Sequence, residues 1–187
     1  MKSILFLILV FSGFAGNTQS VFSNTTNTAI QKVIEDYPNR FSNIKGDKIG
    51  GNQHAMDYHS KVIVPGAANS IITSYPNSKP ESFSWKSELF GSSDFNESKE
   101  RFKELFNNIK NTIVKIDGLP PYILNGIYEL PQEDRKATTI VFQLLPASGD
   151  LQKVTVDLTL KNTANKWKIC LSVYEKETSN NVIASSN

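Results

Sequence analysis

Between Asp94 and Ile116, apolar residues return every three or four positions along the chain. The set consists of Phe95, Phe102, Leu105, Phe106, Ile109, Ile113 and Ile116. This spacing places them on one side of an α-helix and predicts an amphipathic helix with one buried face. Asp94, followed three residues later by Glu97, has the pattern of an N-terminal capping box. Residues 117–121, Asp-Gly-Leu-Pro-Pro, are typical of the end of a helix.

The chain also contains segments whose apolar and polar residues alternate with a period of two, as in β-strands. Seven strand candidates cover residues 57–64, 70–75, 81–89, 122–130, 137–145, 151–161 and 166–175. The last two alternate most regularly, which is typical of an antiparallel sheet with one buried and one solvated face. Short, turn-like connections between the last four candidates predict a hairpin meander.

A first helix is predicted to begin at Thr28, because Gln31 three residues later completes a capping pattern. Residues 21–27 are expected to form a solvated lead-in, Pro38 to break or kink the helix, and residues 47–56 to form a loop. The predicted fold is therefore α+β. It has a largely antiparallel sheet of six or seven strands with two helices packed on one face, the second helix being followed by a four-strand meander.

A short internal echo raises the possibility of a duplication. Residues 41–45, Phe-Ser-Asn-Ile-Lys, resemble residues 106–110, Phe-Asn-Asn-Ile-Lys, and strands follow each copy. Two copies of a helix-then-strands unit and a chance match both explain it. The helix and meander are also similar to the layout of cystatin-like and NTF2-like domains, although the Gln-x-Val-x-Gly inhibitory loop of cystatins is absent. A shared layout does not fix a function.

The N-terminus has the pattern of a secretory signal peptide. A lysine precedes the apolar run of residues 4–11, and small and polar residues follow. The run is shorter than the roughly 20 residues that span a bilayer. We expect a signal peptide over residues 1–20, a single domain over 28–176 and a polar, flexible tail over 177–187. The mature protein is then secreted or periplasmic, with no membrane span.

Composition argues against a nucleic-acid partner and against stabilisation by an internal disulfide. The net charge is +2, and lysines and acids are interspersed along the chain, which has only three arginines. Nucleic-acid-binding proteins concentrate basic side chains on one face, so we expect no nucleic-acid partner. Cys170 is the only cysteine, and therefore no internal disulfide can form.

The two histidines are the strongest candidates for chemistry. His54 and His59 flank Asp57, and if a strand begins at Asp57 then Asp57 and His59 share a face. Two imidazoles and a carboxylate can bind zinc and leave a position open for water. The spacing matches no established metal motif, and two solvated histidines at the start of a strand are the alternative.

No other catalytic set is evident. Cys170 lies within a predicted strand without a neighbour that would lower its pKa. Ser42 and Lys45 have the Ser-x-x-Lys spacing, but no partner motif accompanies them. Four acids that can approach one another, or can simply be solvated, are Glu129, Glu133, Asp134 and Asp157. Tyrosines on the predicted strands can form an exposed row or pack beneath loops, and they are Tyr58, Tyr75, Tyr122, Tyr128 and Tyr174.

We therefore expect an exported, non-catalytic binding or interaction module that needs no cofactor. Its ligand would be a protein, a peptide or a glycan, bound at the open sheet face or at the loop of residues 46–56. The alternative is a small metal-dependent hydrolase that uses His54, Asp57 and His59. A third possibility is an architectural subunit of a larger envelope assembly.

Overall fold

A single antiparallel sheet organises the protein. The computed structural model describes residues 19–147 and 149–176, which contain two helices and nine strands. The helices are α1 (Gln19–Asp36) and α2 (Phe95–Ile109). The strands are β1 (Lys45–Gly51), β2 (Met56–Ser60), β3 (Asn69–Tyr75), β4 (Ser82–Ser92), β5 (Ile113–Val114), β6 (Tyr122–Gly126), β7 (Ala137–Leu145), β8 (Val154–Thr163) and β9 (Lys166–Glu175).

The strand order is β1-β2-β3-β4-β9-β8-β7-β6-β5. Two meanders, β1 to β4 and β5 to β9, meet where their last strands pair, with Trp85 of β4 opposite Val173 of β9. A helix precedes each meander, so the helix-then-strands order occurs twice. Residues 41–44 lie after the end of α1 and Lys45 begins β1, whereas residues 106–109 form the last turn of α2, so the two copies of the echo occupy different places. The duplication itself stays a prediction.

Both helices bury their apolar sides, and α2 lies over the centre of the sheet. Helix α2 contacts β4, β9 and β8, whereas α1 packs against α2 and β5. The expected burial of the α2 stripe is confirmed for Phe102, Leu105, Phe106 and Ile109. The strands contribute fully buried side chains to the same core, among them Trp85, Val156, Leu158, Leu171 and Val173. The α+β class and the antiparallel sheet are confirmed.

The predicted N-cap of α2 is confirmed, but its predicted C-terminal end is wrong. Asp94 Oδ1 accepts hydrogen bonds from the backbone N–H groups of Asn96 and Glu97, at 2.7 and 3.1 Å. The helix ends at Ile109, well before the predicted end at Ile116. The chain turns at residue 111, and its backbone then joins the sheet as the short strand β5. Backbone pairing in the sheet therefore determines the conformation of β5, although the spacing of the apolar residues is that of a helix.

The start of α1 also differs from the prediction. Residues 21–27 lie inside α1 rather than in a solvated lead-in, and Thr28 is within the helix rather than at its N-cap. The expected break at Pro38 is confirmed, because α1 ends at Asp36 and Tyr37–Asn39 form a 3-10 turn. Most of the predicted signal peptide (residues 1–20) and all of the predicted tail (residues 177–187) lie outside the described residues. Within those residues, no helix is both long and apolar enough to cross a membrane.

The expected six or seven strands become nine because β1 and β5 were not predicted. β1 has the sequence Lys-Gly-Asp-Lys-Ile-Gly-Gly, which shows no alternation, and it occupies an edge with irregular register against β2. β5 has only two residues and pairs at the opposite edge. Backbone pairing forms such strands without an amphipathic pattern, so periodicity cannot reveal them.

Asp36 is a buried acid whose hydrogen bonds connect the end of α1 to the segment that precedes β1. Its side chain is 5% exposed and accepts hydrogen bonds from the backbone N–H groups of Asn43 and Ile44, at 3.0 and 3.1 Å. The side-chain amides of Asn39 and Asn43 also donate to it. Four donors thus converge on one carboxylate, which holds the turn between α1 and β1.

Asp36→Ala is expected to lower the free energy of unfolding by about 2–3 kcal/mol, because it leaves partly buried backbone donors without an acceptor. Asp36→Asn keeps one acceptor oxygen and is expected to cost less. Urea unfolding measures both values. The exposed Asp47 on β1 provides the control, and Asp47→Ala is expected to stay within about 0.5 kcal/mol of the wild type. Equal stabilities for Asp36→Ala and Asp47→Ala would contradict this role.

Candidate functional site

The face of the sheet opposite α1 and α2, here called the open face, carries polar side chains on its central strands. The register places Lys86 of β4, Ser172 of β9 and Asp157 of β8 in one row across three strands. In the adjacent row, Tyr174 of β9 lies between a serine of β4 and a threonine of β8. Directly paired residues of antiparallel strands point to the same face. The two rows of side chains therefore lie next to each other on the open face.

A cavity of about 770 Å³ lies over these rows and is here called the open-face groove. The central strands contribute Lys86, Asp157, Ser172 and Tyr174 to its lining. Its remaining walls come from the start of β4, the end of β9, the end of β3 and two turns, one of which supplies His54. His54 and Tyr174 lie 120 positions apart in the sequence, and strand pairing brings their strands into one sheet.

A second cavity of about 210 Å³ adjoins the open-face groove near the ends of β4 and β9. The two cavities share the lining residues Ser82, Phe83 and Glu175. Arg40 and Lys153 contribute to the second cavity alone. The two cavities therefore meet at the ends of the two central strands.

Asp157 and Tyr174 form the most distinctive polar contact in the open-face groove. The Tyr174 hydroxyl donates a hydrogen bond of 2.6 Å to Asp157 Oδ2. The other carboxylate oxygen, Oδ1, is buried and has no hydrogen-bond partner within the described chain. A buried acceptor that lacks a donor is costly and is rare in folded proteins. Asp157 therefore retains the capacity to accept one more hydrogen bond.

Burial changes the acidity of both groups. It raises the pKa of the Asp157 carboxyl above its ordinary value, and the hydrogen bond from Tyr174 lowers that pKa but only partly offsets the effect. Burial, followed by the hydrogen bond to Asp157 and the charge on it, raises the pKa of Tyr174 to about 12. The tyrosine is therefore neutral at physiological pH and remains a donor to Asp157.

The structure places the three predicted metal ligands on neighbouring parts of β2 and its turn. His54 is exposed, and its Nδ1 lies 3.2 Å from the Asn77 side-chain nitrogen. Asp57 accepts a hydrogen bond of 2.7 Å from the Thr73 hydroxyl, and His59 is exposed. Asp57 and His59 share the open face, as their spacing predicts.

These positions do not assemble a ready set of ligands. In residues 19–147 and 149–176, no three His, Cys, Asp or Glu side chains are grouped in a way that could hold a metal ion. The metal hypothesis for His54, Asp57 and His59 stays a prediction. Of the three residues, only His54 lines the open-face groove.

The other candidate groups separate between the two faces of the sheet. Tyr75 and Tyr174 lie on the open face, whereas the side chains of Tyr58, Tyr122 and Tyr128 lie toward the helices. Of the four acids that could approach one another, Glu129 pairs with Arg135 at 2.6 Å, and Asp157 binds Tyr174. Cys170 is buried, and burial raises the pKa of its thiol, as expected for an unreactive cysteine.

Sequence reasoning located the strands of the open-face groove but not the groove itself. Asp157 and Tyr174 were both expected on the solvated sides of their strands, and that is where they lie. The signal that could have joined them is the hairpin between β8 and β9, whose turn at residues 164–165 fixes the register. The approach of Lys86 depends on the pairing of β4 with β9, which no local pattern encodes.

No family model matches this chain, and no curated protein or solved structure is significantly similar to it.

The raised pKa of Asp157 predicts a pH-dependent difference in stability between Asp157→Asn and the wild type. Because the folded state raises this pKa above the unfolded value near 4, the folded chain holds the proton more tightly. The associated stabilisation is complete below the unfolded pKa and is lost as pH rises through the folded pKa. Asparagine cannot ionise, so the variant should gain stability relative to the wild type as pH rises above the unfolded value and through the folded pKa.

Urea unfolding at a series of pH values measures this difference. Asp47→Asn, on the exposed part of β1, is the matched control and should show a difference that changes little with pH. A stability difference for Asp157→Asn that decreases as pH rises would contradict the assignment of a buried, destabilised carboxylate.

Proposed function

We propose that this chain is an exported, non-catalytic binding module whose ligand occupies the open-face groove. The observation that carries the proposal is the groove of about 770 Å³ over the central strands, with an unpartnered acceptor oxygen of Asp157 at its lining. Ligand sites in proteins are typically concave, about 300–1,000 Å³ in volume, with a few convergent polar groups among apolar ones. The open-face groove has both properties.

The absence of a coupled nucleophile and base supports a binding role over a catalytic one. A catalytic serine or cysteine needs a base within hydrogen-bonding distance. Across the described residues, no hydrogen bond joins a serine or Cys170 to either histidine. The Ser78 and Ser82 hydroxyls contact each other at 2.9 Å, and the Asp157 carboxylate binds Tyr174 rather than a nucleophile.

The metal-dependent hydrolase is the rival function. It requires His54, Asp57 and His59 to converge on one ion, and the described residues contain no such group of three ligands. Export rests on the apolar run of residues 4–11 and the signal-peptide pattern around it. A secreted or periplasmic location follows from that pattern.

The binding proposal is tested by mapping where ligands perturb the full chain. Nitrogen-15 spectra are recorded with a library of water-soluble sugars, short peptides and small organic acids. A bound compound is expected to shift the amide signals of Ser84, Ser172 and Tyr174. Ser84→Trp places a bulky ring on the open face and is expected to weaken binding at least about tenfold, or about 1.4 kcal/mol. Lys86→Ala, which removes bulk and charge, provides a second test.

The matched control is Asn125→Ala on β6, an exposed open-face position three strands away from β9. It should leave affinity unchanged. A library that perturbs only residues outside the groove would contradict the proposal. So would zinc-dependent ester or phosphoester hydrolysis that is lost in the His54→Ala/His59→Ala double variant and retained in Ser84→Trp.

A further inference from the structure

We infer that the open-face groove recognises a neutral oligosaccharide. This inference rests on the proposed binding function and names the class of ligand. Three properties of the groove lead to it: its position within the sheet, the chemistry of its lining and its balance of charge.

The position of the groove excludes recognition of a peptide by strand addition. β4, β9 and β8 each have a paired strand on both sides, so their backbone N–H and C=O groups are engaged in the sheet ladder. Strand addition requires a free sheet edge, and the edges here are β1 and β5. A ligand in the open-face groove is therefore recognised through side chains.

The lining combines hydroxyl groups with a carboxylate. Ser82, Ser84 and Ser172 each both donate and accept, whereas Asp157 Oδ1 is an acceptor that has no donor. A sugar hydroxyl also donates and accepts, so a ring with several hydroxyls matches this mixture. A purely apolar ligand would leave these groups without partners, and a site built to bind hydroxyls discriminates strongly against such a ligand.

Aromatic rings complete the match to a sugar. Tyr75 is 38% exposed, and it lines the groove together with Tyr174. The faces of these rings offer apolar, weakly negative surfaces, against which the C–H face of a pyranose can pack. A sugar presents hydroxyls at its edge and C–H groups on its face, and the groove offers partners for both.

The charges lining the groove favour a neutral ligand. Lys86 and Lys176 are balanced by Asp157 and Glu175, so the groove lacks the single-sign field that attracts polyanions or polycations. The volume of the open-face groove, about 770 Å³, lies in the range of sites that enclose drug-sized ligands. This volume suits a chain of sugar rings rather than a single ring.

Calorimetric titration of the full chain with neutral gluco-, xylo- and chito-oligosaccharides of increasing length tests the inference. Affinity is expected to increase with chain length for at least one series. Tyr75→Ala, which removes a stacking surface, and Asp157→Asn, which removes the charged acceptor, should each weaken binding about tenfold. Asn125→Ala should bind as the wild type does. Circular dichroism confirms that each variant is folded.

The outcomes separate this inference from the proposed function. Binding that is unaffected by both Tyr75→Ala and Asp157→Asn overturns the sugar site. Tighter binding of an acidic oligosaccharide than of its neutral counterpart overturns the preference for neutral ligands. Peptides or small acids that perturb the groove when no neutral sugar does so overturn the sugar class but leave the binding function standing. If no compound perturbs the groove, both proposals fail.

Discussion

The packing of α2 on the paired strands β4 and β9 is the interaction on which the rest of the structure depends. These strands end the two meanders, and their pairing makes one sheet from two. Helix α2 lies across this junction and buries Phe102 and Ile109 completely against side chains that include Trp85. Buried aromatic and aliphatic side chains contribute about 1.5–3 kcal/mol each, so this contact stabilises both meanders together.

One face of the sheet packs against the core, so the side chains between the core-facing ones point to the open face. Alternation sends Trp85 and Val173 toward α2 and their neighbours Lys86 and Tyr174 to the open face. The central strands are paired on both sides, and side chains on strands are held more precisely than side chains on loops. The contact between Asp157 and Tyr174 therefore joins two strands that each have a paired neighbour on both sides.

Local patterns in the sequence predicted the elements better than their assembly. The cap at Asp94, the break at Pro38 and the alternation of β8 and β9 each depend on neighbouring residues, and each is found in the structure. The edge strands β1 and β5 lack such patterns, since backbone pairing alone defines them. The position of the open-face groove could not be predicted from periodicity, because it depends on the pairing of β9 with β4.

The pairing of β9 with β4 affects how the chain folds, because it joins distant parts of the sequence. Glu88 of β4 lies opposite Cys170 of β9, and a salt bridge links Lys168 to Glu88 across 80 positions of sequence. Until the C-terminal strand is in place, β4 and β8 both present unpaired backbone in what will become the middle of the sheet. Contacts between distant residues form slowly, and exposed strand edges invite pairing between chains. Newly made copies are therefore most vulnerable to self-association just before β9 docks between β4 and β8.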